Sequence, residues 1–334
     1  MSTWTTKGCF TTCWSALCSE ATGGHRVLQP VDRDGSVSGE ASRGDADFAP
    51  AYNDLSKLPH EFQAYHYDSD SRSSLEALAK GCVRAWGLDS PAEASVLDQT
   101  GFNPTGIVPL LNAFGIARLP STPPRGPEAM RATVVTDVTE VLAVLLLKEK
   151  HPEVTLPRPR VFHKQLPHMQ HHGIDLVGYT MGGGLPPSLL VVEVMATDSD
   201  SHPPDVVREK RRQLLGETLG DPTTVRLMRE LAWLHAESRN GDRDVINRLI
   251  IELQLHSLGT ATKVLAVPVL VSQSSRFKTS DWGPFLDSLQ EFERAYIPST
   301  IRFIAICPRC HPLELVDRVK VVASGGAASP HQGG

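Results

Sequence analysis

No stretch of this 334-residue chain holds the roughly 20 consecutive apolar residues needed to cross a bilayer, and its most apolar helical run, 141–147, is far too short. The opening Met-Ser-Thr-Trp-Thr-Thr-Lys-Gly-Cys has neither the apolar block nor the small-residue cleavage site of a secretory leader. A cytoplasmic location is therefore the expectation, with no membrane partner. In that compartment the six cysteines are read as metal-binding, catalytic or inert thiols before they are read as disulfides. No Gly-x-x-x-x-Gly-Lys-Ser/Thr loop is present, so ATP hydrolysis of the P-loop kind is not supported, and no internal repeat is evident. Positive charge is not in excess either: 33 Lys and Arg against 38 Asp and Glu give a net charge of −5. Wholesale attraction to nucleic acid is thereby disfavoured, and any such contact has to come from a local basic patch.

The chain is long enough to bury a sizeable core. Residues 1–50 are rich in Gly, Ser, Asp and Glu from position 19 onward, a composition that cannot build a packed core, and 323–334 is a glycine-rich tail. Residues 51–119 read as a helical region, with apolar spacing of 3 and 4 over 73–86 and 104–114. The proline-rich stretch 120–127 reads as a stiff linker and domain boundary. From 128 to 322 the order is helix (137–149), strands (158–165, 173–179, 189–196), helices (204–219, 223–238, 242–257), strand (262–271), helix (283–295) and strand (300–306). That alternation predicts an α/β fold, a mixed sheet flanked by helices.

Two acids carry the functional signal. Asp175 lies in Gly-Ile-Asp-Leu-Val-Gly-Tyr, and Glu193 interrupts Leu-Leu-Val-Val-Glu-Val-Met, an apolar run with the composition of a strand buried on both faces. An ionised carboxylate buried there without compensation costs several kcal/mol, so it implies a metal ion, an Arg or Lys, or a helix terminus. The Gly- and Pro-rich segment 180–188 reads as the loop joining two neighbouring antiparallel strands, which would bring Asp175 and Glu193 side by side. Two carboxylates, waters and a substrate phosphate form a familiar Mg²⁺ shell, suited to phosphodiester hydrolysis, with Mn²⁺ as the alternative ion.

These residues resemble the core of the PD-(D/E)XK nuclease superfamily: an acidic helix, a strand-borne Asp, and Glu-x-Lys on the next strand. The resemblance covers 136–213, about a quarter of the chain. It implies a restriction-endonuclease-like fold in which Asp175, Glu193 and the backbone carbonyl of Val194 hold Mg²⁺, with Glu140 assisting from the preceding helix. Asp137-Val-Thr-Glu140 is also the pattern of a helix capping box, so both readings of Glu140 stand. Met195 occupies the position of the motif lysine, and methionine offers only a weak acceptor sulfur. Lys210, on the helix after this strand, is the first substitute and Lys164 the second. The layout of the chain is also similar to HamA, the nuclease subunit of the Hachiman anti-phage system, which implies a DNA substrate and a helicase partner, HamB. The alternative is a nuclease-fold subunit that has lost its chemistry and binds nucleic acid or that helicase.

Several further groups are candidates. Arg208, Lys210, Arg211, Arg212 and Gln213 on the helix after Glu193 suit phosphate-backbone contact, as Lys164 does from an earlier strand; a solvated, salt-bridged helix face is the competing reading. His163, His168, His171 and His172 precede Asp175; His171 or His172 could act as general base, and His172 with Asp175 could bind Mn²⁺ or Zn²⁺. Cys307-Pro-Arg-Cys310 is half a zinc site whose other half could come only from Cys9, Cys13 and Cys18, so a structural zinc is not expected; Cys307 is read instead as the end of a buried strand. A third reading is a metal-free α/β protein in which Asp175 caps a turn and Glu193 pairs with Arg160 or Lys164.

Overall fold

The chain is an α/β protein built on one seven-stranded mixed sheet, as seen in a computed structural model that describes residues 47–86, 128–157, 159–163, 173–181, 187–256 and 264–323. In chain order the elements are β1 (Phe48–Asp54), β2 (Glu61–Tyr67), α1 (Arg72–Trp86), α2 (Glu128–Lys150), β3 (Val154–Thr155), β4 (Leu176–Thr180), β5 (Ser188–Thr197) and α3 (Asp205–Arg212). Helix α3 runs on as a π-helical segment, Gln213–Leu219, before α4 (Val225–Glu237), α5 (Asn240–His256), β6 (Val264–Ser272), α6 (Gly283–Leu286), α7 (Leu289–Arg294), β7 (Ser299–Pro308) and α8 (Pro312–Ala323). The strand order is β1-β2-β7-β6-β5-β4-β3, parallel across β2, β7, β6 and β5 and antiparallel at both margins.

Helices cover both faces, which is why β5 and β6 are dominated by Val, Leu and Ala and why β7 is apolar from Phe303 to Cys307. On the first face α1, α2 and α8 pack against alternate strand residues such as Val192, Val194, Val269 and Ile304. Helix α2 is apolar around its circumference because it is enclosed: Val141, Leu142, Ala143, Val144, Leu146 and Leu147 are all fully buried. On the second face α3, its π-helical extension, α4 and α5 cover Val191, Met195, Leu270 and Phe303.

Several expectations are corrected. The region 51–119 is not helical throughout: β1 and β2 form a hairpin whose second strand pairs with β7, and only Arg72–Trp86 of the described part is helix. The reason is visible in Glu-Phe-Gln-Ala-Tyr-His-Tyr, whose alternation favours a strand. The strand expected at 158–165 is replaced by a two-residue strand, Val154–Thr155, and a 3-10 turn at Arg160–His163. Helix 283–295 is two short helices, and α8 was not anticipated. Helix α2 begins at Glu128, so Asp137 and Glu140 sit well inside it and form no capping box. The segment 120–127, Lys164, His168, His171, His172, Cys9, Cys13 and Cys18 lie outside the described residues.

Two glycines shape the lead-in to the acid pair. Gly173 has φ of +153°, and a Cβ there would sit 2.7 Å from Arg160 Nη1 and 2.8 Å from Glu230 Oε1. A Cβ on Gly178, within β4, would lie 2.2 Å from the Thr155 carbonyl oxygen, so glycine is what lets β3 close on β4.

Candidate functional site

Strand β4 pairs antiparallel with β5 in the register Leu176↔Val192, which one step earlier sets Asp175 opposite Glu193. The expected neighbourhood of the two acids is therefore present, with Glu193 midway along β5 and Asp175 just before β4. Glu193 is wholly buried on the second face, between Val191 and Met195. Asp175 is less enclosed, with 13% of its side chain exposed, and its Oδ2 accepts the backbone N–H of Val194 at 2.7 Å.

Lys210 joins them. Its Nζ donates to Glu193 Oε2 at 2.7 Å and to Asp175 Oδ2 at 3.3 Å, reaching down from α3 as its side chain runs over the apolar face. It is the first of the two lysines expected as stand-ins for the motif residue; the second, Lys164, lies outside the described residues. Met195 does not take part: at 1% exposure it packs among Leu214, Leu270 and their neighbours as an ordinary core residue.

A second cation, absent from the sequence reading, completes the cluster. Arg226, on α4, places Nη2 at 3.6 Å from Glu193 Oε1 and donates to the Gly173 carbonyl and to Glu217 Oε2, each at 3.1 Å. Beside it, Arg160 pairs with the buried Glu230 and lies 4.6 Å over the Trp233 ring. The metal-free alternative pairs Glu193 with Arg160 or Lys164; among the described residues its partners are Lys210 and Arg226. Arg226 and Glu230 stand four apart on a helix whose Leu227, Leu231 and Leu234 are buried, and that spacing beside an apolar stripe was the available signal.

The electrostatics follow from burial and charge count. Burial, and then the neighbouring charge of Asp175, push the Glu193 carboxyl up to about 7, against the opposing pull of Lys210 and Arg226. Burial lowers Lys210, but the charges and hydrogen bonds of the two carboxylates more than reverse it and hold the ammonium above the ordinary lysine range. Both groups thus keep their protons more tightly than in water, so near neutrality Glu193 is partly protonated while Lys210 stays charged. Burial likewise raises Glu230, against the pull of Arg160, Arg229 and Arg226.

A hard divalent cation fits part of this donor set. Glu193 Oε1 is buried and has no hydrogen-bond partner, and the Asp175 carboxylate, bonded to the Val194 N–H, supplies further oxygen of the kind Mg²⁺ prefers. Glu140 does not join them. It is buried on α2, which packs against the other face of the sheet, and among the described residues no group of three or more His, Cys, Asp or Glu could hold a metal.

The remaining candidates are dispersed. Arg208 and Arg212 are exposed on α3, whereas Arg211 is engaged with Ser288 and Glu291, and Gln213 donates to Glu209. Cys307 and Cys310 are buried and pack into opposite faces of the sheet, as small hydrophobes do. No helix among the described residues is long and apolar enough to cross a membrane. No family model matches the chain, and neither the curated proteins nor the solved structures give a match.

Proposed function

We propose that this chain is a Mg²⁺-dependent DNA phosphodiester hydrolase of the PD-(D/E)XK type, with Asp175, Glu193 and the Val194 carbonyl as the cation's ligands and Lys210 in place of the motif lysine. The observation that carries the proposal is the convergence of one ammonium on two carboxylates from adjoining strands, supplied by a helix rather than by residue 195. In this reading a bound cation stabilises the attacking and leaving oxygens and lowers the pKa of its water. Asp175 and Glu193 fix its position, and the buried apolar floor under Glu193 strengthens every charge interaction there. Lys210, with 21% of its side chain exposed, is placed to donate to a water or to a phosphate oxygen at the mouth of the site. Arg208 and Arg212, exposed on the same helix, supply the local basic patch that the net charge of −5 requires for DNA contact. A role in anti-phage defence beside a helicase partner is what the resemblance to HamA would imply for such a nuclease.

A second reading is a nuclease-fold subunit without chemistry. It is favoured by the same charge count, since Lys210 and Arg226 together balance Asp175 and Glu193, and by the placement of Glu140. Incubating purified protein with supercoiled, linear and single-stranded DNA and Mg²⁺ or Mn²⁺ separates the two. Hydrolysis by wild type that Asp175→Ala and Glu193→Ala each abolish supports the hydrolase. Met195→Lys is expected to gain nothing and to lose stability, because it buries a second ammonium beside Lys210. Intact DNA with wild type, and cutting that first arises in Met195→Lys, supports the silent subunit.

A further inference from the structure

The two oxygens of Glu193 are not equivalent. Oε2 accepts from Lys210 at 2.7 Å, whereas Oε1, equally buried, accepts no hydrogen bond and faces Arg226 Nη2 at 3.6 Å. A buried carboxylate oxygen without a donor is costly, and its lone pair is the one free to bind a cation. Arg226 has two stronger anchors, the Gly173 carbonyl and Glu217 Oε2, both at 3.1 Å, and Glu217 is 61% exposed at the end of the π-helical segment. The guanidinium can therefore lean toward Glu193 or toward Glu217 without leaving its place on α4.

We propose that Arg226 is a positioning residue that competes with a divalent cation for Glu193 Oε1, with Glu217 drawing it off, so that these two residues set how tightly the acid pair binds metal. The proposal rests on the reading of Asp175 and Glu193 as a cation site. Charge balance is its basis. Lys210 and Arg226 already match the two carboxylates, so a divalent cation arriving on Glu193 puts two further positive charges within a few ångströms of a guanidinium. That repulsion is eased as Arg226, already bonded to Glu217 Oε2, draws away from Glu193 toward it. Removal of the guanidinium thus favours the cation, and removal of Glu217 disfavours it. A purely structural role for these residues would not produce opposite signs.

The test is calorimetric titration of the metal-stripped full chain with Mn²⁺, comparing wild type with Arg226→Gln, Arg226→Lys, Glu217→Gln and Glu193→Gln. Arg226→Gln is expected to bind about tenfold more tightly, within the usual range of site coupling. Arg226→Lys should stay close to wild type, Glu217→Gln should bind several-fold more weakly, and Glu193→Gln should bind nothing. Equal affinity of wild type and Arg226→Gln, with binding still abolished by Glu193→Gln, overturns the competition and leaves the cation site standing. Should Arg226→Gln fail to fold, unchanged or tighter binding by the exposed Glu217→Gln variant overturns it. Absence of any binding sensitive to Glu193→Gln overturns the cation site itself.

Discussion

Replacing Lys210 with methionine is expected to cost roughly 3–5 kcal/mol of folding stability at pH 7.5, the usual penalty for stripping one partner from a buried ion pair. Among the described residues Lys210 is the one group hydrogen-bonded to both acids, and Glu193 beneath it is wholly buried, so the substitution strands charge in the core. The loss should shrink near pH 5, where Glu193 takes up a proton and no longer needs the ammonium. Guanidinium unfolding in the presence of EDTA reads this out. Arg208→Met is the control, since that side chain is 63% exposed and its contact with Asp205 is a loose 3.9 Å, and it should change stability by no more than about 0.5 kcal/mol. Equal effects of the two substitutions would mean that Lys210 is only another surface charge.

Glu193→Gln should remove the pH dependence that the carboxyl imposes. The folded-state value of about 7 lies above the ordinary value of 4.5, so between those pH values the native state holds a proton that the unfolded chain has released. The stability this contributes is fully present below pH 4.5 and is lost as pH rises through 7. Glutamine has no proton to lose. The stability difference between wild type and Glu193→Gln should therefore move by roughly 2–3 kcal/mol in favour of the variant between pH 5 and pH 8, as paired denaturant curves would show. A difference that stays flat over that range would mean that Glu193 is ionised throughout and fully compensated by Lys210 and Arg226.

How much of this was legible in the residues can be judged from particular elements. Strand β5 was clear because a two-faced buried strand leaves little room for anything but apolar residues, and its single charged residue, Glu193, marked the site. The β4–β5 pairing followed from the Gly- and Pro-rich connection between them, and the contact of Lys210 with both acids followed from its place on the next helix. Strand β2 was missed because its Ala, Gln and His dilute a tyrosine and phenylalanine alternation, and its partner β7 lies over 200 residues away. Pairing at that separation leaves no local trace. Glu140 was misread through its neighbours: Asp-x-x-Glu before an apolar run imitates a helix start, yet the helix begins at Glu128 and carries Glu140 on the other side of the sheet. Arg226 could not be assigned to Glu193 from sequence, because which charged residue of α4 meets the sheet depends on how the π-helical segment ahead of it sets the helix down.

The central claim is that Lys210 supplies from a helix what the strand position 195 does not, and a lysine swap tests it most directly. Plasmid cleavage with Mg²⁺ is measured for wild type, Lys210→Met, and the double variant Met195→Lys/Lys210→Met. The account predicts cutting by wild type, none by Lys210→Met, and partial recovery in the double variant. Cutting by Lys210→Met at the wild-type rate would contradict it.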